Sequence, residues 1–371
     1  MLFETLVRPR SIPWRKLVQL SPAVVGACLM LKARFVTPEE HSGLLAMWSL
    51  GPWSCAKAAP WKVELFFKLR ELPSKVVTLS KDDLLEKWRS RPTDVVIAVP
   101  PKSGTTWLLQ IAHQLRMKGA WGGDASFEDQ MDVMPMLEGG PASLLPDNDI
   151  NKEHVADPRV YKSHLRFRSC PDTVKRIYCF RDLKDVIVSD WHFISPIIPS
   201  DIPLAEFAVL RVVPGGIDRA LYDLCDWWEH RHDPSVCFFF FDDLVDQHLE
   251  CVSRVQQFME LGDQSQQLAH TVLGQSTHGF MSRPENHSKF DDHKIVAQLD
   301  NVRGHTRTVP LSGKVRQGGG SSGAGREVLP EAVQRWIDWR WECIVLKRLG
   351  FQSLQAMRDA WLEELRAKSG R

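Results

Sequence analysis

The sequence has almost no excess of either charge: 47 Lys and Arg stand against 46 Asp and Glu, a net +1 at pH 7. With no run of Lys and Arg interleaved with aromatics, that balance excludes a nucleic-acid-coating surface. There is no CxxC pair among the eight cysteines (Cys28, Cys55, Cys170, Cys179, Cys225, Cys237, Cys251, Cys343), and none has a His partner at zinc-like spacing. Reduced, buried thiols in a cytosol-like compartment are therefore expected. No hydrophobic run reaches membrane-spanning length either. The longest N-terminal one, residues 17 to 31, is interrupted by Gln19, Ser21 and Pro22. Its basic flank (Arg8, Arg10, Arg15, Lys16) gives two readings, a targeting segment or an extension packed on the domain. Residues 1–38 are set apart on that ground from a single domain over 39–371, of which 351–371 forms a C-terminal helical extension. A cytoplasmic location is expected, with organellar or secretory targeting as the alternative. No internal repeat stands out, and the one low-complexity tract, QGGGSSGAG at 317–325, is either a flexible loop or a backbone cradle.

What is present alternates. Residues 53–86 look mostly helical. A β-branched strand, Asp94 to Val99, opens the core. A short strand runs into Tyr161-Lys162-Ser163-His164, another spans Arg176 to Phe180, and Val236 to Phe241 is fully apolar. Helical patterns follow at 185–193, 204–210 and 221–231. The region from Gly119 to Asp157 is rich in Gly, Pro and Asp and reads as loop. The fold class is α/β, a central and mostly parallel sheet with helices on both faces. Most tryptophans, such as Trp227-Trp228 and Trp336, Trp339, Trp341, are expected in the core.

The first strand stops at Pro100-Pro101, and Lys102-Ser103-Gly104-Thr105-Thr106 leads into an amphipathic helix beginning at Trp107. A strand, a small-residue loop and a helix start make an anion cradle of backbone amides. The pattern GxxxxGK[ST] is missing: the Lys comes first and only one Gly is present, so the nucleoside-triphosphate spacing fails. A plain Ser/Thr helix cap is the other reading. Arg181 stands at a strand's C-terminal end, where open α/β sheets bind ligands, and Ser189 lies about two helical turns on. Pairing of Arg181 with Asp182 or Asp185 is the alternative. Lys162 and His164 share one face of their strand.

PKSGTTW, the Lys-x-His strand end, the Arg with Ser eight residues on, the Thr-His segment before Met281 and a late Arg-x-Gly together resemble the cytosolic sulfotransferases that use 3′-phosphoadenosine 5′-phosphosulfate (PAPS). The resemblance spans about residues 85 to 350. It implies that Lys102, Ser103, Gly104, Thr105 and Thr106 bind the 5′-phosphosulfate and that Trp107 stacks on adenine. It implies further that Arg181 and Ser189, with Arg316, Gln317 and Gly318, hold the 3′-phosphate, that Thr277 and His278 lie by the nucleotide, and that His164 is the catalytic base. An Arg fork suits a fixed phosphate, and a compact Lys suits moving charge. Lys102 would stabilise the leaving oxygen and Lys162 the sulfuryl group, with no metal. The acceptor is a small molecule. Phe193 matches an acceptor-lining position, and the oligomeric state stays open. Membrane association would need the N-terminal segment as an anchor.

The chain departs from that pattern at Arg166, where Pro usually follows Lys-Thr-His-Leu. Further departures are Phe241-Asp242-Asp243 for Tyr-Glu-Asp, His278 for an aromatic, and Gln317 for Lys. Arg166 suggests an anionic acceptor, and the aromatics around Trp191 to Ile194 a phenol or hydrophobic alcohol. Two rival readings remain. FFFFDDL could supply a magnesium-binding carboxylate to a P-loop NTPase or kinase, and the chain could hold the nucleotide without turnover.

Overall fold

The computed structural model describes residues 87–120, 126–138, 149–195, 203–212, 216–291, 293, 314–315 and 322–369. The expectations for residues 1–38, 53–86, Arg316, Gln317 and Gly318 fall outside them.

Four strands form one parallel sheet in the order β2-β1-β3-β4. They are β1 (Val95–Ala98), β2 (Val160–Ser163), β3 (Lys175–Phe180) and β4 (Val236–Phe240). Every residue of β1, β2 and β4 is buried. A strand covered on both faces needs a continuous apolar run rather than alternation, and VVIA and VCFFF supply it. At the N-terminal ends, Arg159 grips Asp94 with Nε and Nη2 at 2.8 and 2.6 Å, both side chains fully buried. This two-point pair fixes the register of β1 against β2, in which Ile97 lies beside Lys162 and Ala98 beside Ser163.

Side chains alternate between two cores. Val95, Ile97, Val160, Ile177, Cys179 and Phe239 face α1 (Thr105–Arg116). Val96, Ala98, Tyr161, Tyr178, Phe180, Phe238 and Phe240 face the opposite layer. That layer includes α2 (Leu183–Ile194), α3 (Leu204–Val212) and α4 (Gly216–Glu229). After β4 come α5 (Phe241–Asp246), α6 (His248–Phe258) and α7 (Gln266–Ser276). Helices α6 and α7 pack on the α1 side through Val252, Val255, Leu268 and Val272. Three further helices, α8 (Ala324–Val328), α9 (Glu331–Trp341) and α10 (Leu354–Ser369), join the α2 side. The α/β class is as expected. Trp227, stacked on Tyr178 at 4.7 Å, is fully buried, as are most of Trp228 and Trp341. The C-terminal helix α10 buries Met357 and Trp361 in the same core.

Three boundaries differ from expectation. The first helix starts at Thr105, not Trp107, because Gly104 takes φ 103° and serves as its N-cap. Phe241 opens α5 rather than closing β4, since Asp243 accepts the Phe240 N–H at 3.1 Å and ends the strand. The loop region is not all loop: Gln130–Val133 forms a helical turn, and Met136 bridges to Lys162 beside β2.

β1 leads to a helix on one face of the sheet and its neighbour β3 to a helix on the other. The crevice between their C-terminal ends is the switch point of the fold.

Candidate active site

The loop after β1 is built from two left-handed residues, Lys102 (φ 65°) and Gly104 (φ 103°), on either side of buried Ser103. A Cβ at Gly104 would meet the Phe241 ring at 3.3 Å, so both the backbone angle and the space call for glycine. The Ser103 amide is spent on the Pro100 carbonyl (3.2 Å), which narrows the expected cradle. The first-turn amides of α1 have no intrahelical acceptor, as at any helix start, and no side chain caps them. Buried Thr105 turns its hydroxyl back to the Val99 carbonyl at 3.4 Å, while Thr106 is half-buried at the loop's mouth. The cap reading therefore fails, because neither Ser103 nor Thr105 caps this helix.

Arg181 reaches this loop from β3. Its Nη1 donates to the Lys102 carbonyl at 3.2 Å, and its guanidinium lies 4.2 Å from the centre of the Phe241 ring. Asp182 caps α2 through the Lys184 N–H and pairs with Arg326 (3.3 Å), and Asp185 accepts from the Gly323 and Gly325 amides, each at 2.8 Å. Ser189 is half-buried in the second turn of α2. On the same helix Phe193 lies under Lys102, whose Nζ is 4.2 Å from the ring centre. Burial pushes the Asp190 carboxyl up, against the pull of Arg211 and Lys102.

At the end of β2, the backbone of Lys162 is fixed on both sides, donating to the Pro135 carbonyl and accepting from the Leu137 amide at 3.0 Å each. Its side chain is buried. His164 is half-buried, its amide donates to the Glu138 carboxylate, and its Nδ1 lies 2.6 Å from the Val99 carbonyl. A carbonyl only accepts, so Nδ1 carries a proton, and in the neutral ring the lone pair is on Nε2.

Residues 92–297 match the sulfotransferase domain, more than half of the chain. The chain belongs to the sulfotransferase family. Over 186 residues it is 28% identical to Sulfotransferase 1B1 of Canis lupus familiaris, covering 47% of this chain and 62% of that one. To Cytosolic sulfotransferase 13 of Arabidopsis thaliana it is 28% identical over 199 residues, covering 50% and 60%. The match thus spans about three-fifths of these relatives' length. Among solved structures, retinol dehydratase in complex with androsterone and inactive cofactor PAP superposes with a TM-score of 0.58. At 17% identity, covering 76% of this chain and 88% of that one, it shows the fold.

Within this chain the crevice brings together Lys102, Arg181 and Phe193 by direct contact, and links the Lys102 loop to His164 through Val99. Thr277 is the N-cap of a turn at His278–Met281, accepting the Phe280 N–H at 3.1 Å. His278 is exposed on that turn. Trp107 is half-buried and touches two rings, Phe241 at 5.9 Å and His248 at 5.0 Å. His248 is a residue that sequence reasoning missed. A single histidine opening a polar helix carries no spacing signal, and its partners come from α1 and α7. Asp242, the candidate magnesium ligand, accepts the Ser322 hydroxyl, and Asp243 pairs with Arg358 at 2.7 Å. Among the described residues no cluster of His, Cys, Asp or Glu could hold a metal, and no helix is long and apolar enough to cross a membrane. The described cysteines are free thiols; burial pushes Cys170 up to about 12 and Cys237 up to about 11.

Proposed function

We propose that this chain transfers the sulfuryl group of PAPS to the hydroxyl or amine of a small acceptor, in line and without a metal. The observation that carries the reading is the bond from Arg181 to the Lys102 carbonyl. It joins the guanidinium expected on the 3′-phosphate to the loop expected on the 5′-phosphosulfate, at the switch point of the sheet. PAPS presents two anionic ends separated by a nucleoside, and this crevice offers a cation to each, with Trp107, on α1 against His248 of α6, for the base.

In this reading the acceptor oxygen attacks sulfur while its proton passes to Nε2 of His164. The sulfur bond to the bridging oxygen breaks, and its electron pair leaves on adenosine 3′,5′-bisphosphate. Lys102 meets that charge, and buried Lys162 faces the sulfuryl oxygens. Ser189 orients the donor, and Arg316, Gln317 and Gly318 complete the 3′-phosphate site as the family resemblance implies. The acceptor lies against Phe193. Arg166 stands two residues beyond His164, with Nε buried and unbonded among the described residues, and favours acceptors bearing an anion. A cytoplasmic location fits relatives named as cytosolic.

The test is transfer from sulfur-labelled PAPS to a panel of phenols, alcohols, amines and acidic metabolites. Labelled product with stoichiometric adenosine 3′,5′-bisphosphate supports the proposal. Nucleotide binding with no product from any acceptor would leave a binding protein instead.

A further inference from the structure

Two donor-site expectations, Arg181 and Trp107, fall on one ladder of rings. The Arg181 guanidinium lies on Phe241 (4.2 Å), Phe241 meets the edge of Trp107 (5.9 Å, 70°), and Trp107 meets His248 (5.0 Å, 75°). The indole Nε1 of Trp107 is buried and makes no hydrogen bond among the described residues. Its ring plane therefore rests on packing, and Phe241 and His248 are the rings that supply it.

His248 is itself locked. Its Nε2 lies 3.0 Å from the Ser276 hydroxyl oxygen, and that hydroxyl lies 2.7 Å from the Val272 carbonyl. A hydroxyl has one proton, and the shorter contact to an obligate acceptor takes it. Ser276 must then accept from His248, which fixes the Nε2–H tautomer and the ring plane. Burial pulls the imidazole down to about 4, so it stays neutral at physiological pH and is an aromatic wall rather than a cation.

We infer that His248, held by Ser276, is a positioning residue that sets the face of Trp107 on which the adenine of the donor stacks. The inference rests on the PAPS reading above. It assigns base recognition to a contact between α1 and α6 that is separate from the phosphate-binding residues.

An abasic ligand separates the two functions. Adenosine 3′,5′-bisphosphate and ribose 3,5-bisphosphate share the phosphates, and only the first can stack. His248→Ala should weaken adenosine 3′,5′-bisphosphate about three- to tenfold, the range of one aromatic contact, and leave ribose 3,5-bisphosphate and the acceptor KM unchanged. His248→Phe, which keeps a ring without the hydrogen bond, should recover most of that loss. A structural role predicts equal weakening of both ligands with a lowered Tm, and no change in either Kd would mean that His248 is idle. Either result overturns the inference. If the unaltered chain binds the adenosine ligand no better than the abasic one, stacking is absent and the inference falls. If it binds neither, the PAPS reading falls first.

Discussion

The Nδ1 of His164 and the carbonyl oxygen of Val99 lie 2.6 Å apart. This bond runs from the end of one strand to the residue that opens the neighbouring loop, so the base candidate and the anion loop are set by one contact. It also decides which nitrogen of the neutral ring carries the proton. Nitrogen-15 spectra of the ligand-free protein should show His164 as the Nδ1–H tautomer. An Nε2–H tautomer would put the lone pair on Nδ1, against the Val99 carbonyl, and leave none on Nε2 for an acceptor proton.

Lys102 is held over Phe193 at 4.2 Å, close to the expected leaving group. Charge there matters most as the sulfur–oxygen bond breaks, so Lys102→Ala should lower kcat by on the order of 10² while weakening adenosine 3′,5′-bisphosphate only a few-fold. Single-turnover rates beside equilibrium binding check the split. Near-normal turnover would remove the leaving-group role.

Arg181→Ala should act in the opposite way. Affinity for adenosine 3′,5′-bisphosphate should fall by about tenfold or more, the worth of a charge-assisted pair, with adenosine 5′-phosphate nearly unaffected. Equal losses on both nucleotides, measured by calorimetry, would place Arg181 away from the 3′-phosphate.

Away from the crevice, buried Arg116 donates to His113, to His154 Nδ1 at 3.2 Å and to the Val133 and Pro158 carbonyls. Burial, with Arg116 next in effect, pulls His154 down to about 3. In the unfolded chain it titrates near 6.5, so between those values the unfolded state holds the extra proton. Stability is intact above about pH 6.5 and is lost as pH falls toward 3, by up to about 1.4 kcal/mol per pH unit from this group. Denaturant unfolding from pH 7 to 5 should show a shallower slope for His154→Gln than for the parent chain. Parallel slopes would contradict this.

The parts of the site that were legible in sequence are those made locally. A β-branched run ending at Pro100-Pro101, a single glycine in a small-residue loop and an Arg at a strand end each announce themselves, and the crevice assembles from them. Parallel pairing sets Lys162 beside Ile97, and the end of β2 brings His164 to the Val99 carbonyl. What sequence could not show was how backbone and hydroxyl groups are spent. The Ser103 amide goes to a turn, Thr105 to the Val99 carbonyl and Thr277 to a helix cap, because donors near loop ends satisfy the nearest acceptor. His248 was invisible for another reason: it gains meaning only from Trp107 and Ser276, which arrive from distant elements.

The most direct test of the account is the single-turnover transfer of labelled sulfuryl from bound PAPS by the parent chain and by His164→Ala, with Tm and donor Kd taken on the same preparations. The account predicts donor affinity within a few-fold, an unchanged Tm, a rate lowered by on the order of 10² or more, and loss of the acidic limb of the pH profile. An unchanged single-turnover rate with the acidic limb intact would contradict it.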